Sequence, residues 1–167
     1  RMVAAVKAHP GWYGQAYLCL SSIYGLRRIE MTTLTMDLPN SRLVVKTAKR
    51  RKNEEWREHT VPDNLKPYLE TYLHLDVAGL NGLYYVICRD AGLTPEPREG
   101  WHAIRRLLDT ELIMHGGPAE ISGPAWYLMV KQFLRWSMPR GDMAAYYFSP
   151  KDVDAAIFTT HPFLALW

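Results

Sequence analysis

A chain of 167 residues, 48% of them hydrophobic, is long enough to bury a real core, and this composition excludes an intrinsically disordered polymer. No apolar run approaches the ~20 residues of a membrane-spanning helix, and no signal peptide is evident. The net charge of +3 is only mildly basic, but the cations are clustered, and clustering is the stronger footprint of a polyanionic partner.

In chain order, residues 1–12 carry a short helical pattern broken at His9-Pro10-Gly11. From Trp12, apolar Tyr13, Tyr17, Leu20, Ile23 and Tyr24 recur at helical spacing, and Gly25 ends or bends that helix. Met31–Met36 suits a strand, or a short helix followed by a strand, and Pro39-Asn40-Ser41 is a turn. Arg42–Thr47 reads as a strand and Arg57–Pro62 as its returning partner, with a long basic hairpin loop between them. Pro62-Asp63-Asn64 opens a helix with Leu65, Tyr68, Leu69 and Tyr72 inward.

Further helices are expected over Asn81–Gly92, Trp101–Met114 and Pro124–Trp136, separated by Thr94-Pro95-Glu96-Pro97 and Gly116-Gly117-Pro118. Asp142–Phe148 is a short aromatic segment, Asp152–Phe158 a last amphipathic stretch, and His161–Trp167 an apolar tail that docks on this molecule or on a neighbour. The expected fold is mainly α with a small antiparallel β-sheet, an α+β domain over residues 1–167. Beginning at Arg1, it reads as a domain excised from a longer protein. Cys19 and Cys88, both in apolar runs, read as reduced core thiols of an intracellular protein.

There is no Gly-rich phosphate loop, no zinc-ligand spacing and no elbow motif around a serine, and the six histidines are dispersed. What stands out instead is a set of residues suited to phosphate. Arg27 and Arg28 follow a greasy helix, where cations are expensive unless an anion meets them. His102 and Arg105 lie three apart on one helix face. The hairpin supplies Lys46 or Lys49, and Trp136 and the pair Tyr146-Tyr147 follow. Arginine offers a planar fork to phosphate oxygens, lysine a mobile proton donor, and tyrosine a nucleophile onto which a phosphate can be transferred.

In this order the residues resemble the catalytic domain of the tyrosine recombinases, the phage integrase family. Gly25-Leu26-Arg27-Arg28-Ile29-Glu30 is similar to the family's Gly-Leu-Arg-x-x-Glu, and His102-Ala103-Ile104-Arg105 to its His-x-x-Arg. Lys46-Thr47, then Thr60-Val61-Pro62, resembles its lysine-bearing hairpin. Leu134-Arg135-Trp136 stands where the family has Leu-Gly-His, sometimes with Trp for His, and a tyrosine follows about ten residues on. The resemblance runs from Trp12 to about Phe158. It departs from the pattern at Arg135, where the family has glycine, at Trp136, and in a slightly long interval to the tyrosine.

The resemblance implies a DNA breaking-rejoining fold and site-specific strand cleavage through a 3′-phosphotyrosyl intermediate, with no cofactor and no metal. Arg27 and Arg105 would grip the scissile phosphate and Lys46, with Lys49 as its rival, would protonate the leaving 5′ oxygen. His102 would move protons, and Trp136 would orient the phosphate or simply pack. Tyr146, favoured by spacing, or Tyr147 would attack, and Glu30 would brace Arg27 or the neighbouring backbone. Lys49, Arg50, Arg51, Lys52, Arg28 and Arg106 would contact the DNA backbone. Duplex DNA and further copies of the chain are the implied partners, without a membrane, in the cytoplasm at the nucleoid. The competing reading is a recombinase-fold module that holds DNA without cutting it.

Overall fold

The computed structural model describes residues 1–47, 56–136 and 148–167. Helix α1 (Met2–Lys7) leads into α2 (Gly14–Tyr24), and every residue of α2 is buried. A helix buried on all sides belongs in the centre of a domain, and α1, the short α3 (Lys66–Leu69) and α5 (Trp101–His115) pack around this one. Tyr17, Leu18, Leu20, Ile23 and Tyr24 are at most 2% exposed; each buried side chain of this size contributes about 1.5–3 kcal/mol.

Gly25 stops the helix in the left-handed conformation, φ +57°. It also sits where a Cβ would lie 2.6 Å from the Leu134 side chain. A 3-10 turn, Glu30–Thr32, leads into a three-stranded antiparallel sheet of β1 (Thr35–Asp37), β2 (Arg42–Lys46) and β3 (Trp56–Thr60), in that spatial order. Leu43 pairs with His59 and Val45 with Arg57, and all four are buried. The two-residue period of β3 therefore sends a cation and an imidazole to the same face as apolar Leu43 and Val45.

The remaining helices are α4 (Val77–Asp90), α6 (Gly123–Phe133) and α7 (Pro150–Thr159). Each begins at a side-chain cap: Asp76 accepts from the Gly79 N–H at 2.7 Å, Ser122 from Ala125, and Ser149 from Asp152 at 3.1 Å. Helix α7 packs on α6 and on β3.

Some boundaries move from the expected ones. Helix α4 starts at the Asp76 cap rather than at Asn81. The helix expected after Pro62 is a 3-10 turn, Asp63–Leu65, plus four residues of α3. Helix α6 ends at Phe133 because Arg135 takes the left-handed conformation at φ +56°. Cys19 and Cys88 are free and buried.

The terminal segment docks on its own chain. The Trp167 indole N–H donates to Ser22 Oγ at 3.1 Å, and Tyr68 donates to the Trp167 carbonyl at 2.9 Å. Among the described residues no helix is long and apolar enough to cross a membrane.

Candidate functional site

The site grows from the C-terminus of α2. The last carbonyls of any helix lack intrahelical donors, and in a buried helix they cannot turn to water. Here they are met by side chains from distant parts of the chain. His161 donates to the Ile23 carbonyl at 2.9 Å. Arg135 Nη2 donates to Tyr24 at 3.2 Å and to Gly25 at 3.1 Å, and Arg105 Nη1 donates to the same Gly25 carbonyl. Arg105 Nη2 donates to the carbonyl of Leu134. Two guanidiniums are thus drawn into the interior by a helix end whose dipole favours positive charge.

Glu30 supplies the anion. Its Oε1 accepts from Arg27 Nη1 at 2.7 Å, and its Oε2 accepts from the Arg27 backbone N–H at 2.8 Å and from Arg135 Nη2 at 3.1 Å. Burial by itself would raise the Glu30 carboxyl. Arg135, the Arg27 N–H, Arg27 and Arg105 together outweigh it and hold the group down at about 2. Two guanidiniums, Arg27 and Arg135, bond this one carboxylate and Arg105 adds its charge nearby, with Asp109 a second anionic neighbour of Arg105. Arg105 feels the excess: burial, then Arg135 and Arg27, push it down to about 9 against the pull of Glu30 and Asp109. Arg135 is also lowered, first by burial.

A second ionic group adjoins the first. Asp154 of α7 accepts from Arg57 at 2.9 Å, from the Thr60 N–H at 2.6 Å and from His59 Nδ1 at 3.2 Å. His59 Nε2 lies 2.9 Å from Arg135 Nη1. A guanidinium can only donate, so Nε2 carries the lone pair, Nδ1 carries the proton, and His59 is neutral. Burial is the main cause that lowers its pKa to about 4; Asp154 opposes the shift, while Arg135 and Arg57 add to it. Arg27, Glu30, Arg135, His59, Asp154 and Arg57 therefore form one hydrogen-bonded line from β3 and α7 to the residues after α2.

On the outer side of Arg27 lies a cleft of about 670 Å³, walled by Arg27, Arg28, Asn81, Tyr85, Arg98 and His102 among others. The Arg27 side chain is 16% exposed. Arg28 is exposed and donates to Asn81 at 2.7 Å. His102 is exposed on the first turn of α5, while Arg105, one turn further, is 3% exposed and points inward. The structure thus brings Arg27, Glu30, His102 and Arg105 to one end of α2 and α5.

Lys46 ends β2, its ammonium 5.8 Å from the centre of the Trp56 ring. Trp136 is half-buried against the core, next to Arg135. Arg106 is exposed. Lys49, Arg50, Arg51, Lys52, Tyr146 and Tyr147 lie outside the described residues.

Sequence reasoning missed Arg135, His59, Arg57 and Asp154 as members of the site. A signal existed: Arg57 and His59 alternate in step with apolar Val61, and Asp154 lies between the apolar residues Val153 and Ile157, so all three fall where a core face is expected. No known protein family matches the chain, and neither a curated protein nor a solved structure matches it.

Proposed function

We propose that this chain is the catalytic domain of a tyrosine recombinase, acting on duplex DNA as an oligomer in the cytoplasm, at the nucleoid. The observation that carries the reading is the cleft in which Arg27 and His102, remote in sequence, share a wall beside a cluster holding more guanidiniums than carboxylates. Surplus fixed positive charge at the edge of an apolar core is an arrangement suited to a phosphate, and it counts most where charge builds up in a transition state.

In the proposed reaction Arg27 grips a non-bridging oxygen of the scissile phosphate, with Arg105 adding its charge from behind. The hydroxyl of Tyr146 or Tyr147 attacks phosphorus, and His102 takes its proton. The bond to the 5′ oxygen breaks, and Lys46 or Lys49 protonates that leaving group. Trp136 packs behind the phosphate or orients it. The 3′-phosphotyrosyl bond conserves the phosphodiester energy for rejoining. Lys49, Arg50, Arg51, Lys52, Arg28 and Arg106 contact the backbone of the duplex.

One observation favours a second reading, a recombinase-fold module that binds DNA without cutting it: Arg135-Trp136 occupies the place of the Gly-His that the resemblance leads one to expect. The test is incubation with a pool of nicked duplexes of randomised sequence. The first reading expects a covalent protein–DNA species that disappears in Tyr146→Phe or in Tyr147→Phe. Salt-sensitive binding without that species selects the second reading, and no binding at low salt removes both.

A further inference from the structure

The geometry points to Arg135 as a positioning residue: it sets the carboxylate that holds Arg27, and it makes that hold depend on the seating of α7. The inference rests on the recombinase reading for its catalytic readout, though not for its structural one.

Glu30 Oε2 is shared between the Arg27 N–H and Arg135 Nη2, while Oε1 takes the Arg27 guanidinium. Arg135 therefore joins Arg27 in fixing the rotation of the carboxylate about its own axis. The other amino group of Arg135 meets His59 at 2.9 Å, and His59 donates to Asp154 of α7 at 3.2 Å. Helix α7 begins at Pro150, directly after the stretch containing Tyr146 and Tyr147. A displacement of α7 that carried Asp154 away would remove the acceptor of His59 Nδ1, and His59 is one of the groups that hold the Arg135 fork beside Glu30. The cation facing the cleft is thus linked through side chains to the helix following the proposed nucleophile.

The backbone supports a dedicated role. Arg135 adopts φ +56°, a conformation that glycine takes at least cost. Its fork reaches Phe133, Tyr24, Gly25, Glu30 and His59 together. A lysine, with one point charge and no planar fork, cannot reproduce that set.

The test compares the full chain with Arg135→Gly, Arg135→Lys and Asp154→Asn, each checked for folding by its melting transition. Single-turnover cleavage at saturating nicked DNA should slow by about tenfold or more in both Arg135 variants. DNA affinity should stay within about threefold, because many other cations contribute to it. Added ethylguanidinium should restore part of the rate in Arg135→Gly and none in Arg135→Lys. Asp154→Asn should slow cleavage in the same sense. The second readout is the side-chain Nε–H resonance of Arg27 in DNA-free protein, which should move in all three variants. Wild-type rates in folded Arg135 variants overturn the inference, as does an unmoved Arg27 resonance in Asp154→Asn together with any folded Arg135 variant. Wild-type protein that forms no covalent species refutes the recombinase reading alone, and the Arg27 resonance then decides the positioning role.

Discussion

Lowering the pH toward 4 should strongly destabilise this protein, because two histidines are buried neutral. His59 accepts from Arg135 and donates to Asp154. His161 accepts from the Phe163 N–H at 3.1 Å and donates to the Ile23 carbonyl at 2.9 Å. Burial lowers both to about 4 from the ordinary value of 6.5, with Asp154 opposing at His59 and the Ile23 carbonyl opposing at His161. The unfolded chain takes up protons near 6.5 and the folded one does not, so stability is fully present above that value and falls as the pH drops toward 4. At pH 4.5 each histidine should have cost about 2–3 kcal/mol. The pair then approaches the whole stability of a small domain, about 5–15 kcal/mol. Urea unfolding followed by tryptophan fluorescence between pH 7.5 and 4.5 measures this directly. In His161→Gln the slope should be roughly halved. A midpoint that stays flat over this range, or an imidazole resonance of His59 titrating near 6.5, would refute the reasoning.

Glu30→Gln removes the carboxylate that Arg27 and Arg135 both bond and should cost roughly 3–5 kcal/mol in thermal or urea unfolding, the usual penalty for stranding a buried charge. Gly25→Ala should cost about 2 kcal/mol or more, since it adds a left-handed penalty to a close approach of 2.6 Å to Leu134; a smaller loss would mean that Leu134 yields freely. Arg27→Ala should cost less in thermal unfolding than Glu30→Gln, because Arg135 still meets the buried carboxylate, yet it should abolish covalent capture of nicked DNA with little change in binding. Parallel loss of binding and capture would make Arg27 a grip on the backbone and nothing more.

What could be read from the sequence depended on how local the determining contacts are. The stripe of α2 and its stop at Gly25 are set by residues a few positions apart, and so is the contact of Glu30 with Arg27, three residues away. The start of α4 was obscured because Gly79 and Gly82 weaken the helical signal, while the deciding feature is a single hydrogen bond from the Gly79 N–H to the Asp76 carboxylate. The centre of the site was hidden for another reason. Arg135, His59 and Asp154 are joined only in the folded chain, and although the pattern places His59 and Asp154 on core faces, nothing local in the sequence pairs them with one another or with Arg135. The departure at Arg135 was visible in the sequence, but its meaning required knowing that the side chain turns inward onto Glu30.

The three arginines at the end of α2 look alike in sequence and differ in what they can do. Arg105 and Arg135 commit donors to the carbonyls of Gly25, Leu134, Tyr24 and Phe133, which a buried helix terminus and its neighbouring turn could not leave unpaired. Their first task is therefore architectural, and their charge comes with it. Among the described residues the Arg27 guanidinium is anchored by Glu30 rather than by a helix-end carbonyl, and it faces the cleft. Two cations placed behind a third, in a medium where they are poorly screened, raise the attraction that the outer one exerts on an incoming anion. A single cation on a solvated surface would bind phosphate weakly and be quenched by salt. The need of one buried helix to satisfy its last carbonyls thus supplies the field that a phosphate-binding arginine requires, which is why the fold and the proposed chemistry meet at Gly25.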